Sequence, residues 1–344
     1  MLKIDLADIT IVFQGNLDKS TPSVVGSFSD FVRKTENAFP KAFIIFSTWN
    51  DVEIPEDIPI DLIIRSIDPG PLPSIRFDDK SNNINRQIVT THAGLSAVKT
   101  KYAIKLRADS YLEHARFLEY YSQFSLNNNA SEHRIVSSSF FTIDPSLFEH
   151  IPFHISDWFQ FGETKTLLSY WDVELMSVAV ATHYESHAYK AKSTFLEKKF
   201  RGKYAVEQYM AMSYAKKLGY PIPNFHNDNS TINLKAHNDF IANNFIILDP
   251  WQIGLCLPKY KSTYTSKFQW LKCTMFVDWY FLYVTICSPA SFDQRILKVA
   301  KERSKKKKKA HIISRLASPF DRLLYSWRFR KLAFKLLNIL SGKF

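Results

Sequence analysis

Polar side chains follow four strand-like segments of this 344-residue chain, at the point where each segment ends. They are Gln14 and Gly15 after the first segment, Ser47, Thr48 and Trp49 after the second, Asp68 after the third, and Arg107 and Asp109 after the fourth. The carboxyl ends of parallel strands meet at one edge of a sheet, and ligands bind at that edge. The spacing therefore predicts that these residues line one binding site.

Asp109 has the chemistry of a metal ligand. It follows a strand that contains Lys105 and ends beside Arg107. A carboxylate in this position would hold a divalent cation against a diphosphate, because hard cations take oxygen ligands. The alternative is a solvated carboxylate at the strand end that caps a helix from Glu113.

A second polar group, residues 82–87, stands at the start of a predicted helix. Within it, Arg86 has the planar fork that binds a phosphate or a nucleobase, and Asn85 adds an amide. The alternative is an ordinary polar first turn with no ligand.

Asp157 and Glu207 are the carboxylates that suit proton transfer. Trp158, Phe159 and Phe161 follow Asp157 directly, and apolar surroundings raise a carboxyl pKa toward the range of a general base. Aromatic walls beside a carboxylate also suit a sugar. The alternatives are an aromatic core with one capping carboxylate and, for Glu207, the ordinary preference of acids for helix N-termini.

Several familiar motifs do not occur in the sequence. Residues 15–20 resemble a phosphate loop but lack its second glycine and are one residue short. No G-x-G-x-x-G follows the first strand, which disfavours a dinucleotide fold, and neither H-E-x-x-H nor G-x-S-x-G occurs. Cys256, Cys273 and Cys287 are odd in number and lack metal-site spacing, so neither a disulfide framework nor a zinc site is indicated.

Alternating strands and helices must position these groups. Strand-like runs cover residues 9–13, 42–46, 61–64, 102–106, 134–136 and 245–248. Helices are predicted from Ser20-Thr21-Pro22 to Pro40, through residues 88–98 and over residues 205–218. Continuous apolar strands separated by helices predict an α/β fold with a mostly parallel sheet flanked by helices.

The charge divides the chain into two parts. Residues 290–344 hold 16 of the 45 Lys and Arg but 3 of the 33 Asp and Glu, a net charge of +13, whereas residues 1–289 have a net charge of −1. We predict a catalytic domain at 1–289, with a nucleotide-binding half at 1–140 and an acceptor half at 141–289. A basic tail at 290–344 follows. Because the body is neutral, we expect no nucleic-acid binding.

The tail combines charge with apolar residues. Five lysines occupy residues 305–309, a helix is predicted to start at Ser318-Pro319, and apolar and basic residues then alternate. We expect residues 305–340 to bind an anionic membrane surface. The alternative is a helix packed on the body with a solvated lysine run.

No segment of the sequence predicts a membrane span. The apolar run 273–287 is shorter than the roughly 20 residues a span needs and contains Asp278, so a buried core element is expected. The first ten residues lack an apolar signal core. We therefore expect a cytoplasmic protein held on the inner face of the cell membrane.

Seven short motifs occur in a fixed order: VFQGN, FSTWN, SIDPG, NNINRQIVTTHAGL, YAIKLRADSYL, SDWFQFG and VEQYM. Together they resemble the WavE lipopolysaccharide-synthesis family over residues 6–250. That family is similar to glycosyltransferases with the GT-A fold, a nucleotide-sugar-binding α/β sheet. Two departures stand out: Arg107-Ala108-Asp109 replaces the usual Asp-x-Asp metal pair, and Val206 replaces a proline.

The resemblance implies that a sugar moves from a nucleotide-diphosphate donor to a lipid-linked or lipopolysaccharide-core acceptor. The leaving diphosphate would be neutralised by Asp109 with Mg²⁺ or Mn²⁺, or by Arg86 and Arg107. Asp157 is the first candidate to take the acceptor's proton, and Glu207 is the second. The remaining nucleotide contacts would be Gln14, Gly15, Ser47, Thr48, Trp49, Asp68 and Asn85, and the acceptor contacts would be Trp158, Phe161 and Gln208.

Two other functions stay open on the sequence alone. A sugar-phosphate or nucleotidyl transferase would use the same nucleotide pocket but release pyrophosphate or a nucleoside monophosphate. A nucleic-acid-binding protein would work through its lysine run.

Overall fold

The computed structural model describes residues 4–17, 27–77, 81–126, 133–194 and 196–317. Nine strands lie in these residues: β1 (Ile9–Gln14), β2 (Phe43–Trp49), β3 (Leu62–Ser66), β4 (Tyr102–Arg107), β5 (Tyr111–Leu112), β6 (Ile135–Ser138), β7 (Phe159–Glu163), β8 (Phe245–Leu248) and β9 (Leu255–Cys256). Seven of them form one sheet in the order β3-β2-β1-β4-β7-β6-β8, and β5 pairs with β9.

Most neighbouring strands of the large sheet are parallel. β3, β2, β1 and β4 run in one direction, β6 and β8 are parallel to each other, and β7 is antiparallel to both β4 and β6. All of β1 and nearly all of β4 are buried, which explains their continuous apolar sequences. These strands, flanked by helices, confirm the predicted α/β class with a mostly parallel sheet.

β7 is the strand of the large sheet that the sequence pattern did not predict, and β5 and β9 of the small sheet were not predicted either. Its residues, FQFGE, are all buried, so they lack the alternation of polar and apolar residues that marks a half-exposed strand. β7 enters between β4 and β6, and its register pairs Lys105 of β4 with Gln160. The residues just before β7, including Asp157, therefore lie beside the end of β4.

Twelve α-helices occur in the described residues: α1 (Phe28–Ala38), α2 (Ile84–Ser96), α3 (Phe117–Phe124), α4 (Thr164–Trp171), α5 (Val178–Ala181), α6 (Val206–Lys217), α7 (Thr231–Asn244), α8 (Pro250–Ile253), α9 (Lys261–Tyr264), α10 (Lys267–Lys272), α11 (Phe276–Cys287) and α12 (Gln294–Ala317). α2 packs tightly on the sheet at Gly94. A Cβ there would lie 2.5 Å from Cγ1 of Val12 and 2.9 Å from Cβ of Ser47. The absence of a side chain thus lets the helix that carries Arg86 approach β1 and β2.

Element bounds differ from the predictions at two places near the site. β2 continues to Trp49, so Ser47 and Thr48 lie inside the strand and not after it. The predicted helix start at 20–22 lies outside the described residues, and α1 begins at Phe28 after Ser27. Ser27 and Asp30 form a reciprocal capping box, in which each side chain accepts from the other residue's main-chain N–H.

The apolar run 273–287 contains α11, whose Trp279 is fully buried, so the predicted core element is confirmed. Within the described ranges, no helix is both long enough and apolar enough to cross a membrane. α12 carries the lysine run and packs on the body through Arg303 and Lys307. The predicted division at residue 290 stays a prediction, and the predicted helix from Ser318 lies outside the described residues.

Lys307 corrects the expectation that all five lysines of the run supply surface charge. Its ammonium group is buried and donates to Asp144, to Asp278 and to the main-chain oxygen of Cys273. The other four lysines of the run are exposed. The described part of the tail therefore matches the alternative of a packed helix with a largely solvated lysine run.

Candidate active site

A cavity of about 780 Å³ opens at the carboxyl ends of β1, β2 and β4. Residues from α1, α2 and the segment after β9 complete its wall. Of the residues that the sequence analysis singled out, those that line it are Gln14, Gly15, Trp49, Arg86, Arg107 and Asp109. The strand-end prediction thus accounts for five of these residues, as parallel strands dictate, and Arg86 comes from α2.

Arg107 and Asp109 form a two-pronged ion pair at the end of β4. Nε and Nη2 of Arg107 donate to the two carboxylate oxygens of Asp109 over 3.0 and 2.9 Å. The guanidinium carbon also lies 4.1 Å from the ring centre of Trp158. Burial acts to raise the pKa of Asp109, but the charge of Arg107 outweighs it and the pKa is lowered. Asp109 is therefore a carboxylate at neutral pH, held by its own chain.

This arrangement does not fit the two-carboxylate metal site that the resemblance implies. Both oxygens of Asp109 already accept hydrogen bonds from Arg107, so a cation would have to displace a guanidinium. Position 107 supplies a cation where the Asp-x-Asp pattern supplies a second ligand. In the part of the chain that the structure describes, no three or more His, Cys, Asp or Glu side chains are grouped to hold a metal ion.

Arg86 stands on α2 at the opposite wall of the cavity. Its Nε and Nη2 donate to Asp68 over 2.8 and 2.5 Å, and Asp68 also accepts from the main-chain N–H of Gly70. The hydrogen bond from Arg86 is the largest influence on Asp68 and lowers its pKa. Asp68 does not line the cavity itself, so its role here is to orient Arg86.

Three other predicted nucleotide contacts do not reach the cavity. Ser47 and Thr48 are fully buried within β2. The side chain of Asn85 donates to the main-chain oxygen of Met176 and accepts from its N–H, at 3.0 and 2.7 Å. Because their groups point into the fold, we remove these residues from the proposed nucleotide contacts.

Asp157 lies behind the cavity wall and is 3% exposed. Its carboxylate accepts a hydrogen bond from Nε2 of Gln87, and Gln87 lines the cavity. Its main-chain oxygen accepts from Nζ of Lys105, which is fully buried. Burial lowers the pKa of Lys105 to about 8, although the charge of Asp157 acts against this change.

Glu207 occupies the first turn of α6 and is more accessible than Asp157, with its side chain 21% exposed. Burial raises its pKa, and the nearby charge of Asp157 raises it further, whereas His154 and Arg107 lower it. Asp157, Glu207 and Arg107 therefore form one electrostatically connected group beside the cavity. A raised pKa brings a carboxylate closer to the value at which it serves as a general base.

The structure does not support the three predicted acceptor contacts. Trp158 is covered by Arg107 on its ring face and by Tyr260, whose ring centre lies 4.4 Å away. Phe161 is fully buried against the rings of Tyr102, Phe117 and Tyr121. Gln208 accepts from the main-chain N–H of Ala205 and donates to the main-chain oxygens of Pro152 and His226. These side chains build the walls behind the site and do not offer a free surface.

Two residues near the site, Lys259 and His154, were not predicted, and Lys105, named above beside Arg107, is fully buried. Lys259 lines the cavity, and its charge contributes to the lowered pKa of Asp109. His154 contacts Glu207, and Lys105 supports Asp157. The burial of Lys105 could have been predicted from the sequence, since a lysine inside a continuous apolar strand must be buried and partnered. His154 comes from an irregular segment and Lys259 from a 3₁₀ helix of three residues, Pro258–Tyr260, and the pattern of the sequence predicts no position for either.

The sequence of residues 9–312 matches the family described as WavE lipopolysaccharide synthesis. This chain belongs to the WavE family. The match extends past residue 250, where the predicted resemblance ended, and covers most of α12. Membership in the WavE family gives the chain a role in the synthesis of lipopolysaccharide or a related polysaccharide.

Comparison with solved structures gives distant likenesses at about one identical residue in ten. HddC from Yersinia pseudotuberculosis is 10% identical with a TM-score of 0.27, over 46% of this chain and 78% of that one. The 4-diphosphocytidyl-2C-methyl-D-erythritol synthase from Anaerococcus prevotii is 11% identical with a TM-score of 0.29, over 60% and 98%. The bifunctional IspDF from Campylobacter jejuni is 10% identical with a TM-score of 0.29, over 57% and 52%. No curated protein matches the WavE chain significantly.

Proposed function

We propose that this WavE protein is a glycosyltransferase with a GT-A-like sheet. It would move a sugar from a nucleotide-diphosphate donor to a hydroxyl of a lipopolysaccharide core or another surface glycan. One juxtaposition carries the proposal: a cavity with two arginines lies at the carboxyl ends of parallel strands, and the carboxylates of Asp157 and Glu207 interact with each other beside it. The first feature suits a diphosphate, and the second suits removal of a proton from an acceptor.

In the proposed donor complex, the diphosphate lies between Arg86 and Arg107, with Lys259 at the same cavity. Each guanidinium uses its Nε and Nη2 on a carboxylate of this chain, so phosphate oxygens would be met by the N–H donors that remain. Gln14, Gly15 and Trp49 would contact the nucleoside, since they line the end of the cavity formed by β1 and β2. Positive charge in the site stabilises the leaving group as negative charge develops on it. We route no step through a metal ion, because Asp109 is engaged by Arg107.

The chemical step has a defined balance. A bond forms between the acceptor oxygen and the anomeric carbon, and the bond from that carbon to the phosphate oxygen breaks. The nucleoside diphosphate leaves with the electron pair. In an inverting transfer, the acceptor's proton goes to a carboxylate. We propose Glu207 for this role, with Asp157 beside it, because Glu207 is the more exposed of the two.

We further propose that the protein works on the cytoplasmic face of a membrane, where a lipid-borne acceptor is presented. The support comes from six exposed lysines of α12, which we name the outer lysine face: Lys298, Lys301, Lys305, Lys306, Lys308 and Lys309. Exposed basic residues near an anionic leaflet contribute about 1 kcal/mol each.

The decisive experiment identifies the product of the donor. The full-length chain is incubated with UDP-, GDP-, CDP- or CMP-linked sugars and lipopolysaccharide core, and the released nucleotide is separated by chromatography. A nucleoside diphosphate, or CMP from a CMP-linked sugar, identifies sugar transfer. Pyrophosphate, or a nucleoside monophosphate from a diphosphate donor, identifies the alternative of a nucleotidyl or sugar-phosphate transferase. Arg86→Ala should weaken nucleotide binding at least about tenfold, because losing a charged hydrogen bond costs roughly 1.5–3 kcal/mol.

A further inference from the structure

His154 is an unassigned neighbour of Glu207 at the side of the site away from Asp109. Its Nε2 lies 3.4 Å from Oε2 of Glu207, and its Nδ1 lies 2.9 Å from the main-chain oxygen of Phe141. Both ring nitrogens of this histidine therefore face an oxygen. The imidazole is largely covered, with its side chain 10% exposed.

These two contacts fix where protons lie. A main-chain carbonyl oxygen only accepts hydrogen bonds, so Nδ1 of His154 must carry a proton and donate to Phe141. In a neutral imidazole, Nε2 would then be a bare lone pair facing an oxygen of Glu207. Two acceptors at 3.4 Å repel each other unless a proton is placed on one of them. The contact is therefore favourable only when the pair holds a further proton.

We propose that His154 and Glu207 share this proton, so that His154 is a positioning residue that keeps Glu207 oriented as the acceptor's base. The proposal rests on the function proposed above. With the proton on Nε2, Glu207 is a carboxylate that accepts from His154 through Oε2. Its other oxygen, Oε1, is then left for a hydroxyl group of the acceptor.

The segment that holds His154 is fixed by its own backbone. Phe141, whose oxygen accepts from His154, has a φ of 68°, and Phe153 has a φ of 61°, both in the left-handed region that disfavours non-glycine residues. The N–H of Phe153 donates to Nδ1 of His237 over 2.9 Å, and the oxygen of His154 accepts from the N–H of Ile143 over 3.0 Å. Backbone strain of this kind persists only where the surroundings hold it, and it is common at functional sites.

Other charged groups also act on the pair formed by His154 and Glu207. On the Glu207 side these are Asp157, which disfavours the carboxylate, and Arg107, which favours it. Lys105 also senses the charge of Glu207. On the histidine side, Glu149 and His237 interact electrostatically with His154. Glu207 is the one of these acids in direct contact with the ring of His154.

The test follows the protonation of His154 directly. The full-length chain is labelled with ¹⁵N-histidine, and multiple-bond NMR spectra are recorded as a function of pH. The His154 signals are identified by their loss in His154→Gln. We expect the neutral form to carry its proton on Nδ1. We also expect the Nε2 signal of His154 to move in Glu207→Gln, because a hydrogen bond to a carboxylate is stronger than one to an amide.

Two further variants sharpen the outcome. Glu207→Asp keeps the charge and should move the Nε2 signal less than Glu207→Gln does. Glu149→Gln removes a charge that does not contact the ring and should also move that signal less. A neutral form protonated on Nε2, or an Nε2 signal unchanged in Glu207→Gln while the other histidine signals stay in place, overturns the proposal.

A kinetic readout separates positioning from mere structure. His154→Gln can still donate to Glu207 but cannot titrate, so the acid limb of the rate profile should change while the KM for the donor stays constant. A rate profile identical to that of the parent protein contradicts the proposed role. Failure of the proposed function itself would look different: the NMR titration would be intact, but no sugar would be transferred.

Discussion

Lys307, near the middle of α12, donates a hydrogen bond of 2.8 Å to Asp144, which lies 163 positions earlier in the chain. The same ammonium group donates to Asp278 over 2.7 Å. One lysine of a five-lysine run is thus withdrawn from the surface and fixes α12 to two separate segments of the body. The neighbouring lysines stay in water, so the helix presents its remaining charge in one defined direction.

Replacing Lys307 should destabilise the protein strongly. Lys307→Met leaves Asp144 and Asp278 buried without this cation, and loss of one partner of a buried ion pair costs about 3–5 kcal/mol. Lys308→Met is the matched control, because Lys308 is exposed and such changes are within about 0.5 kcal/mol. Urea denaturation followed by circular dichroism measures both. Equal stability of the two variants would show that the buried pair does not hold α12.

Glu149 should make stability fall in acid. Burial acts to raise its pKa, but Arg76 and Lys272 outweigh this effect and lower the pKa from the ordinary 4.5 to about 2. The folded chain therefore binds this proton more weakly than the unfolded chain. The contribution of the Glu149 carboxylate to the free energy of unfolding, about 3 kcal/mol, is complete above pH 4.5 and is lost as the pH falls toward 2.

Glu149→Gln is the variant that isolates this contribution. It should lower the free energy of unfolding at pH 7 and flatten the dependence of that free energy on pH between 4.5 and 2. Denaturant titrations at several pH values measure both quantities. A slope equal to that of the parent protein would assign the acid dependence to other carboxyls, of which Asp144 is the first candidate because its pKa is also lowered.

The sheet could be predicted from the sequence because β1, β2 and β4 are continuous apolar runs that end at polar residues. β7 could not, since a fully buried antiparallel strand has the same aromatic composition as any core segment. For the same reason Phe161, an aromatic residue near a carboxylate, was taken for a sugar contact although it packs inside the core. The local sequence pattern indicates that an aromatic ring is buried but does not indicate which residues the ring contacts.

The candidate site also contains residues that could be predicted from the sequence and residues that could not. Gln14, Arg107 and Asp109 follow strands, so the topology of a parallel sheet places them at one edge. His154 comes from an irregular segment and Lys259 from a 3₁₀ helix of three residues, and the positions of both depend on contacts distant in the chain. Residues two positions apart on a strand point to the same side, so Arg107 and Asp109 could be expected to be neighbours. The sequence did not show whether Asp109 would meet Arg107 or a bound ligand.

Removal of Glu207 should reduce transfer more than it reduces donor binding. Glu207→Gln keeps the shape and removes the base, so turnover should fall by about 10² to 10⁴ while donor affinity is retained. Since burial raises the pKa of Glu207, the rate should rise with pH through a midpoint above its ordinary value of 4.5. Steady-state rates from pH 4 to 8, with calorimetry of donor binding, measure both effects.

Asp157→Asn is the counterpart that decides between the two carboxylates. We expect a smaller loss of turnover, because this side chain is almost wholly buried and accepts from Gln87. An inactive Asp157→Asn together with an active Glu207→Gln would reverse the assignment.

The outer lysine face should bind anionic membranes. We expect the full-length chain to sediment with vesicles that contain phosphatidylglycerol and to be released as salt rises, because exposed charges are screened beyond about 10 Å at 0.1 M. Replacing Lys305, Lys306, Lys308 and Lys309 by Gln should abolish sedimentation without loss of stability. Neutral phosphatidylcholine vesicles are the control. Sedimentation that is equal for the parent and the fourfold variant would remove this face from membrane contact.

Nucleotide binding should depend on Arg107 and not on a divalent cation. Arg107 engages both oxygens of Asp109 and packs on Trp158, so the chain supplies its own cation at the position of the expected metal pair. Arg107→Lys loses the fork and should weaken binding of UDP or GDP by about tenfold or more. Arg295→Lys, at a side chain 92% exposed, is the control and should bind as the parent does.

Calorimetry in EDTA should give nearly the same affinity as in Mn²⁺, since Arg107 already occupies both oxygens of Asp109. Binding that disappears in EDTA and returns with Mn²⁺ would show instead that a cation displaces Arg107 from Asp109 when the nucleotide enters.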